Sequence, residues 1–167
     1  MTDVQHDSGF AATGTLNGNG DRAATAELVA RRLIDEGFSQ GNLDVCDELI
    51  ADEIVEHQDY GPGHEAGAAG VKAVVTSLRR AFSDFKLEIE GLAVVGDTVW
   101  TRNVATGTHD GPYMGNAPTG RTFRVFVIDV LRVRGGRVVE HWGVPDRLGV
   151  LLQIGALPRP SVLANRQ

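Results

Sequence analysis

An aspartate set among apolar residues at every second position is the first feature with chemical meaning. In FRVFVIDVLRV, Phe123, Val125, Val127, Asp129, Leu131 and Val133 share one parity, whereas Arg124 and Arg132 share the other. Successive residues of a strand point to opposite faces, so this alternation places Asp129 on the apolar face. A carboxylate there is costly unless it is neutral, paired or used. Used, it is a pocket acid with a raised pKa. Paired, with Arg102 or a backbone amide, it orders the sheet. A second carboxylate, Asp146, follows the run VVEHWGVP. Pro145 holds Val144 extended and removes a ladder donor, so the chain leaves the sheet there and Asp146 stands at a strand end, where a pocket mouth would lie. It can move a proton between carbon and oxygen, and it can equally cap the helix expected in RLGVLLQIG. Trp142 shares the parity of Asp146 and can wall a pocket, with a plain core role as the alternative. His141 has the opposite parity, so only one of the two points inward. His57, at the end of a short early strand, is a candidate hydrogen-bonding or proton-transfer group. His109 at the opening of a Gly/Pro loop, Tyr113 as a gate within that loop, and Trp100 in the preceding strand complete the candidate substrate contacts.

Other chemistries find no support. His6 falls in an N-terminal arm and His64 in a loop, both expected to be solvated, and the histidine spacings match no zinc signature. A His57, Asp59 and His64 metal site has little to favour it over a solvated loop, so no metal or cofactor is expected. There is no G-x-S-x-G elbow, H-E-x-x-H motif or phosphate-binding loop. The single cysteine, Cys46, lies on an apolar helix face and reads as a small core residue.

The chain has 167 residues, 16 Lys and Arg against 22 Asp and Glu, and a formal charge of -6. That length fits one domain with tails, and the charge argues against nucleic-acid or basic membrane contact. No run approaches the roughly 18 apolar residues of a membrane span, and no secretory signal is visible, so a reduced cytoplasmic setting is expected. Residues 1–22, rich in Gly, Thr, Asn and Asp, read as a flexible arm; 23–157 as the working domain; and 158–167 as a tail.

Periodicity gives the elements that must hold the candidates. Ala26, Val29, Ala30, Leu33 and Gly37 mark one amphipathic helix that Gly41 ends. Leu43, Cys46, Leu49 and Ile50 mark a second, short helix that Asn42 can cap, and Val71, Val74, Val75, Leu78 and Phe82 a third, at about 70–83. Strands are expected at 54–57, 86–95, 98–109, 123–133 and 137–144, with a bulge near Gly91, a turn at Gly96-Asp97 and a two-residue hairpin at Gly135-Gly136. Leu148, Leu151 and Leu152 belong to a short closing helix. Helices grouped on one face of a curved antiparallel sheet define an α+β fold with a cone-shaped apolar pocket.

Four ordered pieces, FSQGNLDVCDELIADEIVEH, GVKAVVTSLRRAFSDF, ATGTHDGPYMGNAPTGR and IDVLRVRGGRVVEHWGVPDRLGVLLQIGAL, resemble the SnoaL-like polyketide cyclase family of the nuclear transport factor two-like cone fold, over about residues 25–157. The resemblance implies cofactor-free ring closure of an aromatic polyketide by intramolecular aldol condensation, an apolar small-molecule substrate and a homodimer formed through the outer sheet face. It also implies that the aspartate after the E-H-W segment, here Asp146, is the acid/base, with Asp129 and His57 as candidates for a second group. The same fold houses ketosteroid isomerase, in which an aspartate shuttles a proton between carbons. Two other readings stay open: an epoxide hydrolase of the same fold, which needs two carboxylates bridged by an arginine (Arg102 and Asp129 supplying part), and a non-catalytic binder of apolar ligands.

Overall fold

The structure, a computed structural model, describes residues 18–60 and 65–158. His6, His64, residues 1–17 of the expected arm and residues 159–167 of the tail lie outside them. Residues 18–22, which composition assigns to the arm, form the first turn of α1 (Gly18–Arg32). This helix continues as a π-helical segment, Leu33–Ser39, before α2 (Asp44–Leu49) and β1 (Ile50–Glu56). Next come α3 (Gly67–Ala81), β2 (Lys86–Val95), β3 (Thr98–Thr108), β4 (Thr122–Arg134), β5 (Arg137–Pro145) and α4 (Arg147–Gln153).

The five strands form one sheet in the order β1-β5-β4-β3-β2. Pairings from β2 to β5 are antiparallel, as expected. The early strand joins the edge parallel to β5, with Glu56 opposite His141, so the sheet is mixed. A parallel partner needs a long crossover; here α3 and β2 to β4 all intervene. The register of β2 against β3 slips between Ile89 and Gly91, which is the bulge that the phase change predicts. Gly135 and Gly136 both have positive φ, 58° and 78°, as a hairpin turn whose twist matches its strands requires.

Strand alternation and the helix stripes close on each other. Ala26, Val29, Ala30 and Leu33 of the first helix meet Val45, Cys46 and Leu49 of α2 over Val99, Leu131 and Val133 of the sheet. A second apolar group gathers Phe82, Phe85, Leu87, Phe123, Val125, Val150 and Ile154. Phe82 is 1% exposed and packs edge-on to Phe123 at 4.7 Å; burying a ring of that size is worth about 2–3 kcal/mol. The π-helical segment brings Leu33, Ile34 and Phe38 to the wall of an interior cavity, and α3 contributes Val71, Val74 and Leu78. Helices and sheet thus enclose a hollow between them instead of filling it.

Candidate active site

The hollow has a volume of about 620 Å³, within the usual range for small-molecule sites. Its walls are largely aliphatic and aromatic; most of its polar groups, Glu56, Gln58, Tyr60, Asp129, His141 and Arg147, come from β1, β4, β5 and the segments that follow β1 and β5, and Glu65, just before α3, and Ser77, within it, add to them.

Asp129 projects inward, as strand alternation requires, and is only 9% exposed. Its partners are not those expected. Arg102 faces the opposite side of the sheet, paired with Glu90. Asp129 instead receives His141 Nε2 at Oδ1, 3.2 Å, and Asn103 Nδ2 at Oδ2, 2.7 Å. Asn103 Nδ2 also donates to Thr101 Oγ1 at 2.9 Å. The other ring nitrogen of His141 sits 2.8 Å and 2.9 Å from the two oxygens of Glu56. The imidazole is therefore held between two carboxylates. Burial disfavours its charge, but the hydrogen bonds and fields of Asp129 and Glu56 outweigh that and push its pKa up to about 9. With both N–H groups donating to acids, His141 is an imidazolium at neutral pH.

Tyr60 and Tyr113 also face the cavity. Burial, helped by the charges of Glu56 and Asp129, pushes the Tyr60 phenol far up, and burial raises Tyr113 as well, so both remain neutral hydroxyl donors. The Arg147 guanidinium lies 5.8 Å from the Tyr60 ring centre and donates to the Asp59 carbonyl at 2.9 Å. Tyr113 rides on a tight turn in which Met114 and Gly115 have φ of 46° and 79°. Asn116 closes that turn through backbone bonds to Tyr113 in both directions. Among the described residues, no group of three His, Cys, Asp or Glu is arranged to hold a metal ion.

Of the sequence candidates, the structure brings Asp129, His141 and Tyr113 to the cavity and places five elsewhere. Asp146 is exposed and outside the cavity wall. Its Oδ1 accepts the Gly149 N–H at 2.7 Å as the cap of α4, the helix-capping role that its position allows. Parity explains this: Glu140 and Trp142 stand opposite Arg132 and Val130 on the outer face, and Asp146 continues that side. Trp142 consequently points outward, stacked on His57 at 4.5 Å with Arg132 on it at 5.7 Å. His57 is the outward neighbour of Glu56 and bonds Glu140 at 3.0 Å, away from the cavity. Trp100 lies on the outer face and is 51% exposed. His109 is fully buried in the core beside Phe82 and held through Nδ1 by the Thr119 hydroxyl at 3.1 Å. Glu56, Gln58, Tyr60 and Arg147 escaped the sequence reading. Alternation extended from Ile54 places Glu56, Gln58 and Tyr60 on one side and Val55, His57 and Asp59 on the other, the same signal that found Asp129.

The Asp146→Ala variant is expected to lose about 1 kcal/mol of stability, the usual worth of such a cap, with cavity chemistry unchanged. Thermal melting and turnover measured side by side check this; a collapse of turnover at unchanged stability would restore Asp146 to the site.

A curved sheet wrapped by helices around an apolar cavity that holds an Asp–His–Glu cluster defines a small-molecule acid/base protein of the α+β cone fold. The family model for SnoaL-like polyketide cyclases matches residues 28–154, and the chain belongs to that family. It is 33% identical over 133 residues to aklanonic acid methyl ester cyclase DauD of Streptomyces sp. (strain C5), covering 76% of this chain and 80% of that protein. Nogalonic acid methyl ester cyclase of Streptomyces nogalater is 29% identical over 119 residues, 71% of this chain and 89% of that one. Among solved structures, wild-type IdmH of Streptomyces antibioticus superposes with a TM-score of 0.68 at 35% identity, covering 78% of this chain and 98% of its own. TsrD of Streptomyces laurentii gives 0.72 at 27% identity, with 80% and 97% covered.

Proposed function

We propose that the protein closes a ring of an aromatic polyketide by intramolecular aldol condensation, with Asp129 as the base. The observation that carries this reading is the Asp129 carboxylate, inside an apolar cavity and braced by His141 and Asn103. The relatives named as methyl ester cyclases support the substrate class, an aromatic polyketide ester with neighbouring ketones. Asp129 takes the proton from a carbon flanked by carbonyls. The resulting enolate carbon attacks a second carbonyl of the same molecule, forming the new C–C bond. The alkoxide then takes up a proton from a neutral cavity hydroxyl, such as Tyr60, which is reset from protonated Asp129. Atoms and charge balance, and substrate and product are isomers. The apolar walls fold the substrate so that both carbons meet, which lowers the entropic barrier, and they exclude water from the enolate. Each oxygen of Asp129 keeps a free lone pair, since one accepts from His141 and the other from Asn103.

Incubation with an aromatic polyketide ester bearing the open ring, followed by chromatography for the cyclised isomer, tests the proposal. Binding without conversion would instead favour the ligand-binding reading. The epoxide hydrolase reading loses the arginine that the sequence offered for it, because Arg102 is on the far face with Glu90.

The same proposal includes a homodimer. On the outer face, Trp100, Phe126, Ile128 and Val144 are 51%, 50%, 40% and 69% exposed, with Ile128 directly opposite Val144 in the ladder. Arg102 and Arg124 flank Phe126 and both pair with Glu90, so the patch mixes apolar surface with both charges, as a self-complementary interface requires. Phe126→Lys is expected to shift light-scattering mass from two chains to one; an unchanged mass, or a monomeric wild type, removes the dimer. No helix of the described residues is long and apolar enough to cross a membrane, and the buried, unpaired thiol of Cys46 suits a reducing cytoplasm.

A further inference from the structure

We infer that the Gln58 carboxamide is the hydrogen-bond donor that holds the substrate carbonyl oxygen while Asp129 removes the neighbouring proton, and that residue 143 is glycine in order to seat it. This rests on the cyclase reading and adds to it the group that carries the enolate charge.

A ketone oxygen and the hydrogen on its α-carbon lie a few ångströms apart, so base and donor must stand side by side. Around Asp129 most donors are committed. His141 gives one N–H to Glu56 and the other to Asp129. Asn103 gives its amide nitrogen to Asp129 and Thr101. Gln58 lines the same cavity. Its hydrogen bond among the described residues runs from the backbone N–H to Glu56 Oε1, 2.7 Å, which leaves the carboxamide to the cavity. The same Glu56 oxygen lies 2.9 Å from His141 Nδ1, so the acid–imidazole cluster also fixes the backbone that carries Gln58.

Gly143 gives this side chain its place. It stands directly opposite Asp129 in the β4–β5 ladder. A Cβ at residue 143 would lie 1.9 Å from Gln58 Oε1, 3.0 Å from its Cδ and 2.9 Å from His141 Cε1. The carboxamide therefore rests on the bare Cα of Gly143, with its oxygen turned down and the amide nitrogen left for a ligand. The φ of Gly143 is not in the left-handed region, so the backbone makes no demand for glycine here. Glycine within a strand weakens it and marks a close approach; the approaching group is Gln58.

Enolisation moves negative charge onto the carbonyl oxygen. A fixed neutral donor in a water-poor site stabilises that charge, and losing one such donor costs about 10²–10³-fold in kcat. Three variants test the assignment: Gln58→Leu, Gly143→Ala and the two combined. Two readouts apply: turnover of the polyketide ester, and affinity for 1-hydroxyanthraquinone, a planar carbonyl probe whose absorbance reports binding. Gln58→Leu is expected to lower kcat about 100-fold with KM nearly unchanged, and to weaken the quinone. Gly143→Ala is expected to lower both in the wild-type background and to add less to Gln58→Leu than it costs alone, since the two share the Gln58 contact and only the push on His141 Cε1 remains. Thermal melts identify a Gly143→Ala protein that fails to fold, in which case Gln58→Leu alone decides. Unchanged kcat and quinone affinity in Gln58→Leu would overturn the assignment. If Asp129→Asn still abolished turnover in that case, the cyclase reading would stand without Gln58. Quinone affinity that depends on Gln58, in a wild type that closes no ring, would support the donor and sink the cyclase. A wild type that binds no quinone overturns the donor.

Discussion

Replacing Asp129 with Asn is expected to slow ring closure by about 10²–10⁴-fold, the range that a positioned general base supplies. The substitution preserves shape and can keep a hydrogen bond to His141, so loss of turnover would reflect loss of the base. Asp129 is 9% exposed in a cavity with largely apolar walls, and bulk water does not readily take its place. The variant should also lower the His141 pKa below its value of about 9, because one of the two carboxylates that hold its proton becomes neutral. Steady-state kinetics on the polyketide ester give the first effect, and the imidazole chemical shift against pH gives the second. Retained turnover with a displaced His141 titration would show that Asp129 only orders the sheet.

Removing the histidine should do the most damage to the fold. His141→Leu leaves Glu56 and Asp129 facing one another around an apolar side chain. Uncompensated buried charges of this kind cost about 3–5 kcal/mol. The pH dependence gives a sharper sign. The His141 pKa is raised in the folded state, from 6.5 to about 9. Its contribution is therefore complete below pH 6.5. It declines as pH rises through the window in which the unfolded chain has lost the proton and the folded one has not, and it is gone above about 9. The shift amounts to about 3 kcal/mol. The wild type is expected to lose stability steadily from pH 6.5 to 9, and His141→Leu to lack that slope. Denaturant melts at stepped pH values measure both curves; parallel curves would mean that the imidazolium has no part in holding the site.

Periodicity and local chain geometry were legible in the residues before any fold was known. The α+β order, the hairpin at Gly135-Gly136, the bulge before Gly91 and the inward face of Asp129 are all local consequences: alternation fixes a face, and glycine permits a turn. Alternation also held that His141 and Trp142 point to opposite faces, but which of them enters the cavity depends on which side the helices cover. The folded arrangement was needed to lay β1 parallel to β5, bringing Glu56 opposite His141 across 85 residues of chain. It likewise seated Gln58 over Gly143, and turned Asp146 outward to cap α4. A strand pattern states which residues share a side; it does not state which distant strand lies alongside, and a hydrogen bond between side chains exists only once that neighbour is chosen.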